Sequence, residues 1–493
     1  MSETSAQVRV IVVGAGFGGI AAAIELTEHG YDDVTVLESA AELGGTWYHN
    51  VYPGAACDVP SHFYSFSFDQ RASWSRFCSP QEEILDYLRE VARAHGVDRR
   101  VVTGQRVTSC AWDEGTGTWT VVAEAPDGTT TTRTADALLI ATGQLDKPSY
   151  PRIEGLEDFT GPVLHSARWD TDLDLTGRRV AVIGTGATAA QLVPELAEAA
   201  AHTTVFQRSG NWFLPRRSKE YSAPVKALLA HVPGLNRVFR ALLAAYLEFL
   251  TAAIRHPRTL GRVLAAWSTL FMRGQLRDPE VRRTAWPDYT FGCRRVLFSS
   301  SYLPALQRPD VTLVGDAVTA MTERGPRTAD GRVHEVDVVA LATGFRTTDF
   351  MFPMEVTGSG GRRLREDWAD GPRAHLGMTV PGYPNLFLLY GPNTNTSGGS
   401  IVFFLEHQAR YVRQALDLGR ERKAALDVRP EVASSSDVTL QGRFVGTAWV
   451  ACDSWYRDES GRIVANWPGY MREYADATRE VEPADFRYLP VPG

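Results

Sequence analysis

The chain is poor in the features that would place it outside ordinary aqueous enzymology. It has five cysteines in 493 residues, Cys57, Cys78, Cys110, Cys293 and Cys452, odd in number and without metal-ligand spacing. That pattern implies neither a disulfide framework nor a zinc site, and it predicts reduced thiols and no bound metal. No apolar run reaches the roughly 18 residues of a membrane span. The best candidate, ALLAAYLEFLTAAI (Ala241 to Ile254), is shorter and carries Glu248. The leading MSETSAQ lacks the basic flank and apolar core of a signal peptide, so a cytoplasmic protein is expected. A net charge of -7 gives no electrostatic invitation to nucleic acid or to an anionic membrane. No block recurs at a solenoid period, and no low-complexity tract appears.

What remains is ordinary in composition, 44% apolar and 22% charged, and too long for one core, so two domains are expected in a large enzyme. Its partners should be small molecules, with the enzyme itself a monomer or homodimer.

Glycine patterning supplies the organisation. VRVIVVGAGFGGIAAAIELTEHGYDDVTVLESA reads as an apolar strand, a glycine turn, a helix and a second strand ending at Glu38, one βαβ unit. RVAVIGTGATAAQLVPELAEAAAHTTVFQRS, from Arg179, repeats that grammar. DALLIATG (Asp136 to Gly143) and VVALATGF (Val338 to Phe345) are strands with Thr-Gly ends that mark crossovers. The expected fold is therefore α/β, with two Rossmann-like dinucleotide-binding domains, the second inserted in the first. The expected division is 1–147 and 345–493 for the first domain, and 148–344 for the second. A Leu-, Ala- and Arg-rich helical insertion, broken by Pro233 and Pro257, covers about 223–283.

Each glycine of the first loop has a task. Gly14 permits the tight turn, Gly16 lets backbone amides approach a pyrophosphate, and Gly19 lets helix and strand pack closely. Glu38, 24 residues after Gly14, is placed for a ribose 2'-hydroxyl and would repel a 2'-phosphate. The second loop has Gly184, Gly186 and Ala189, and Arg208 stands where an acid would bind NAD. A guanidinium there favours the 2'-phosphate of NADP. One nucleotide of each kind points to FAD as the bound cofactor and NADPH as its reductant, and so to a flavin oxidoreductase.

A disulfide reductase needs two cysteines about five apart beside the flavin, and LGGTWYHNVYPGAACDVPSHFYSFSFD has only Cys57. Together with FTGPVLHSARWD, that stretch resembles the class B flavin monooxygenases, specifically the Baeyer-Villiger monooxygenases. Phe159, Gly161, His165, Trp169 and Asp170 fill the family fingerprint, although the segment itself reads poorly as helix or strand. GAGFGG, GGTWYHNVYPG, GTGATA, both ATG motifs and GPNTN follow the family's order.

The resemblance implies NADPH- and O2-dependent conversion of a ketone to an ester or lactone through a C4a-peroxyflavin. It assigns catalysis to Asp58 and Arg295. It also carries Gly45, Thr46, Trp47, Asp58, Arg294 and Asn393 into the cofactor site, and gives the fingerprint a coupling role. Arg294 and Val296 depart from the family's Lys-Arg-Pro motif. Trp47, Tyr52, Trp212 and Trp455 are candidate pocket aromatics, and His62 reads better as structural than as a base. The insertion is expected to pack over the active-site mouth, with a partner or membrane surface as the other reading. The rival functions are N- or S-oxygenation of an amine or sulfide by the same flavin chemistry, and a non-oxygenating FAD redox or sensor protein.

Overall fold

A computed structural model describes residues 7–216, 219–458 and 460–491. β1 (Val10–Val13) is buried at every position, as a β-branched run covered on both faces should be. β2 (Val34–Leu37) lies parallel to it, with Val10 opposite Val34, and α1 (Phe17–Glu28) makes the crossover that a parallel pair requires. β3 (Val101–Val102) and β4 (Ala137–Ile140) widen this sheet on opposite sides.

The chain then lays down a second sheet. Its strands are β5 (Val163–His165), β6 (Arg179–Ile183), β7 (His202–Phe206), β8 (Val311–Val314) and β9 (Val338–Leu341). All pair in parallel, in the order β8-β7-β6-β9-β5, and α2 (Ala187–Ala199) links β6 to β7. The chain finally returns to the first sheet as β10 (Leu386–Leu388), giving the order β10-β4-β1-β2-β3. An antiparallel meander, Arg106–Asp113, Thr118–Glu124 and Thr130–Ala135, covers part of the first sheet, and its Trp119 and Val121 share a core with Leu138.

FTGPVLHSARWD is not irregular throughout, because β5 occupies its centre and pairs with β9 as an edge strand. Three residues are too few to display a period of two, which is why the strand is invisible in the sequence.

The insertion is helical, with α3 (Ala223–His231), α4 (Leu235–Arg255) and α5 (Leu260–Gln275). Pro233 and Pro257 fall in the breaks, where a missing N–H and a fixed φ cost least. α6 (Ile401–Arg422) packs on α1 so closely that a Cβ on Gly18 would lie 3.1 Å from Leu405 Cδ2.

The two crossovers between the sheets are paired with each other. Ser149 N donates to Gly344 O (2.9 Å), Arg346 N donates to Lys147 O (2.9 Å), and Pro148 faces Phe345 across an antiparallel bridge.

One sequence expectation is corrected here. Cys293 and Cys452, 159 residues apart, form a disulfide, while Cys57, Cys78 and Cys110 are free and buried. Spacing rules see local pairs, and this pair is brought together only by the tertiary fold. Alkylation of the denatured, unreduced protein should label three cysteines and alkylation after reduction five, read by intact mass. Five labels without reductant would contradict the bond.

Candidate functional site

The two glycine loops are built alike. Gly14 (φ +105°) stands so close to the end of β4 that a Cβ would lie 2.6 Å from Ala141 O. Gly184 (φ +118°) stands against β9 in the same way, 2.3 Å from Ala342 O. The repeated Ala-Thr-Gly motif therefore supplies the carbonyl against which each nucleotide loop is pressed. The third loop position differs between the halves. A Cβ on Gly19 would fall 1.8 Å from Gly14 O, whereas the second loop accommodates the buried Ala189. Both third residues pack helix on strand and stay out of the cleft.

α1 and α2 begin at Gly16 and Gly186, and neither has a side-chain cap. Their first-turn N–H groups are therefore left for a ligand, the usual setting for a pyrophosphate. Both N-termini open on one cleft of about 1450 Å³, also lined by Glu38, Gly45, Thr46, Trp47, Asp58 and Arg208. Glu38 is buried and accepts from the N–H groups of Ala15 (2.7 Å) and Ala40 (2.8 Å), which orients it at the end of β2. Two uncapped helix starts, an acid after one βαβ unit and an arginine after the other fit FAD and NADP respectively.

On the second-sheet side, Arg208 is exposed in the cleft and Arg294 lies near it, its Nη1 donating to Ser209 Oγ (3.0 Å) and its charge over the Tyr289 ring at 4.6 Å. Asn393 does not reach the cleft. It is buried, and its Nδ2 donates to Ile463 O (2.7 Å) and Asn466 O (3.0 Å), holding the Gly-Pro-Asn loop against a later segment. Its neighbours Asn395 and Thr396 line the cleft instead. Of the four candidate aromatics, Trp47, Tyr52 and Trp455 line the cleft, while Trp212 packs away from it and donates to Tyr289 O.

Asp58 and Arg295 form a two-pronged pair. Arg295 Nη2 donates to both carboxylate oxygens (2.8 Å each), and Nε donates to Asp58 Oδ2 at 3.1 Å. Burial alone would raise the Asp58 carboxyl, but the charge and hydrogen bonds of Arg295, with Arg216 adding to them, hold it below its usual value. Arg295 is in turn raised, chiefly by the charge of Asp58.

The pair stands at a partition. Asp58, Val59, Arg295 and Gly399 line both the nucleotide cleft and a second chamber of about 370 Å³. That chamber is roofed by the insertion through Leu243, Leu247, Leu250 and Ile254 of α4 and Leu264 of α5, one helical face of each.

Two residues that pattern reading passed over hold this arrangement. Gln191, on α2, accepts from Tyr52 Oη (2.8 Å) and donates to Ala56 O (2.8 Å), gripping the loop that carries Asp58. Its signal was a polar side chain in the otherwise apolar run AAQLV. Arg216 lines the chamber and donates to Cys57 O (2.9 Å). No motif marks it.

The fingerprint residues lie outside the cleft. Phe159 is buried in the second-sheet core, and a Cβ on Gly161 would meet Asp337 O at 2.4 Å. His165, on β5, accepts from Ala167 N through Nδ1 (3.1 Å), and its Nε2 is 3.4 Å from Thr343 Oγ1. Its ring packs against Tyr150 and Phe345, which belong to the two crossovers. Trp169 is partly buried against the second-sheet core, and Asp170 is exposed and accepts from Asp172 N. His62 lines neither space. Burial among Tyr221 and Phe239 pushes it down to about 4, so it is neutral near pH 7.

Residues 8–242 match the pyridine nucleotide-disulphide oxidoreductase family, although the flavin-side loop has no second cysteine. A Baeyer-Villiger monooxygenase of Streptomyces coelicolor is 41% identical over 98% of this chain and 93% of its own. An FAD-binding monooxygenase of Aspergillus niger is 39% identical over 97% of this chain and 81% of its own. Among solved structures, an oxidized steroid monooxygenase bound to NADP superposes with a TM-score of 0.85 at 31% identity, covering 98% of this chain and 99% of that one. With two nucleotide loops on one cleft and likeness along nearly its whole length, the chain belongs to the FAD- and NADPH-dependent Baeyer-Villiger monooxygenase family.

Proposed function

We propose that the protein converts an apolar ketone to an ester or lactone, with one oxygen atom of O2 inserted beside the carbonyl and the other leaving as water. NADPH supplies the two electrons as a hydride and becomes NADP+, and a proton from solvent completes the water. In this reading residues 1–147 and 345–493 bind FAD, and residues 148–344 bind NADP. The observation that carries it is the Asp58–Arg295 pair at the partition between a nucleotide cleft and an apolar chamber.

When bound and reduced, the flavin supplies the activation of oxygen. The chain supplies the rest. The chamber accepts the ketone's hydrocarbon body, and its largely apolar walls disfavour water at the reacting centre. Arg295 points a fixed positive charge at the place where the carbonyl oxygen gathers negative charge, a preorganised contact that needs no rearrangement during reaction. Asp58 fixes the plane of that guanidinium and does not itself move a proton. Gln191 sets the height of the Asp58 loop against α2. Arg208 and Arg294 hold the 2'-phosphate, and His165 couples the two crossovers without touching substrate.

Arg216 and Arg295 face the chamber with a single carboxylate, Asp58, which is paired to Arg295, so the lining keeps one unbalanced positive charge. A protonated amine would be repelled there, which favours neutral carbonyl compounds over amines. A panel of ketones, sulfides and amines should give esters as the main products. Oxygenated amines with no ester from any ketone would overturn the reading.

Replacing Arg295 by Ala should leave flavin reduction by NADPH intact. Ester formed per NADPH consumed should fall by about 10²–10³ as hydrogen peroxide replaces it. Arg208→Gln should raise KM for NADPH by about 10–100-fold, the worth of charge-assisted hydrogen bonds, with KM for NADH little changed. Equal effects on both nucleotides would remove Arg208 from the phosphate site.

The lowered carboxyl of Asp58 fixes the sign of a pH effect. Its stabilising contribution is complete above the ordinary carboxylate range and is lost as pH falls through its depressed folded value. The gap in thermal midpoint between the native chain and Asp58→Asn should therefore stay constant through neutrality and narrow only in strong acid. A gap that closes near pH 6 would contradict this.

A further inference from the structure

The insertion roofs the chamber with one face, and its other face has no partner among the described residues. α4 turns Val238 (58% exposed), Leu242 (64%), Ala245 and Phe249 outward at helical spacing. α5 does the same with Val263 (62%), Trp267 and Leu270 (69%). Two amphipathic helices packed together are thus apolar on both sides, which a helix bathed only in water is not.

The charge on this element is one-sided. Between residues 223 and 283 there are ten lysines and arginines against three acids, Glu248, Asp278 and Glu280, in a chain whose net charge is -7. Arg237, Arg258, Arg262 and Arg273 are exposed and have no carboxylate within ion-pair distance among the described residues. Arg237 and Arg262 adjoin Val238 and Val263, and Arg273 follows Leu270 by one turn, so the cations flank the ends of the apolar stripes.

The stripes also run to the chamber. Leu242 and Trp267 line it while remaining exposed, which puts its mouth on the outward apolar face. We propose that the α4–α5 face docks on an anionic lipid surface, lying in the interface without spanning it, and takes up through that mouth apolar ketones dissolved in the lipid. Apolar stripes flanked by arginines are the composition that such an interface selects. No helix among the described residues is long and apolar enough to cross a membrane, in keeping with a surface mode. A second copy meeting the same face about a two-fold axis would set these arginines against their own copies, so like charge disfavours that occupant.

The docking half stands apart from the ketone reading, and only the uptake half rests on it. The test uses the FAD-loaded full chain and co-sedimentation with vesicles of phosphatidylcholine alone or mixed with phosphatidylglycerol. Binding is expected to the anionic vesicles only, and to weaken with salt. R237Q/R262Q/R273Q should lower partitioning by about a hundredfold, close to fivefold per charge. V263D/L270D should also lose binding, and both variants should keep full turnover of a small water-soluble ketone, which shows that they are folded.

Equal binding to neutral vesicles, or none to either, overturns the proposal. So does a dimer in sedimentation velocity that V263D/L270D dissolves without any vesicle binding. For uptake, a long-chain ketone held in anionic vesicles should be oxidised faster by the native chain than by the charge variant. Equal rates with binding intact would overturn the uptake half alone, and absence of ester from every ketone would instead sink the ketone reading.

Discussion

The contact between Asp58 and Arg295 is the point to which the rest of the structure is fitted. Its members come from segments 237 residues apart, one in the long loop that follows β2, the other following the insertion. A planar guanidinium meets a carboxylate in two prongs only over a narrow range of distance and tilt. The geometry therefore reports the relative placement of the two nucleotide-binding halves. Gln191 is the gauge, because it bonds to both sides of the turn at Tyr52 and Ala56 from a helix of the other sheet. Separate those halves slightly and the pair loses one prong before any secondary structure is disturbed.

Much of the fold was legible because each glycine position answers to a local steric demand. Gly14 and Gly184 need positive φ, and Gly19 has no space for a side chain. Such demands are written in consecutive residues, and a strand, turn and helix can be read from them. The same locality explains Ala189, which the second loop tolerates because its helix start is less crowded. Asp58 and Arg295 were a different matter. Composition and spacing do not single them out, and only resemblance to a family drew attention to them.

What stayed hidden is nonlocal. The bond between Cys293 and Cys452 joins residues that flank Arg294 and the Asp453–Trp455 edge of the cleft, and neither cysteine has a neighbour in sequence that announces the other. Asn393 occupies a motif position yet serves as a staple between loops, and the residue of that segment that lines the cleft stands two places on, at Asn395. Charge distribution is likewise nonlocal information that a total does not carry. A sum over the whole chain conceals that one element is strongly basic and the remainder correspondingly acidic.

The paired crossovers have a mechanical meaning. Two independent linkers would let one half swivel about either strand, with several soft rotations and a broad set of relative orientations. Backbone bonds between Ser149 and Gly344, and between Lys147 and Arg346, tie the linkers into a short two-stranded ribbon. A ribbon bends easily across its face and resists bending in its plane, so the halves have in effect one hinge axis. His165, with Tyr150 on one strand of the ribbon and Phe345 on the other, sits where a change in curvature is felt first. A change in the width of the cleft would thus follow one axis, along which the two glycine loops keep their mutual alignment.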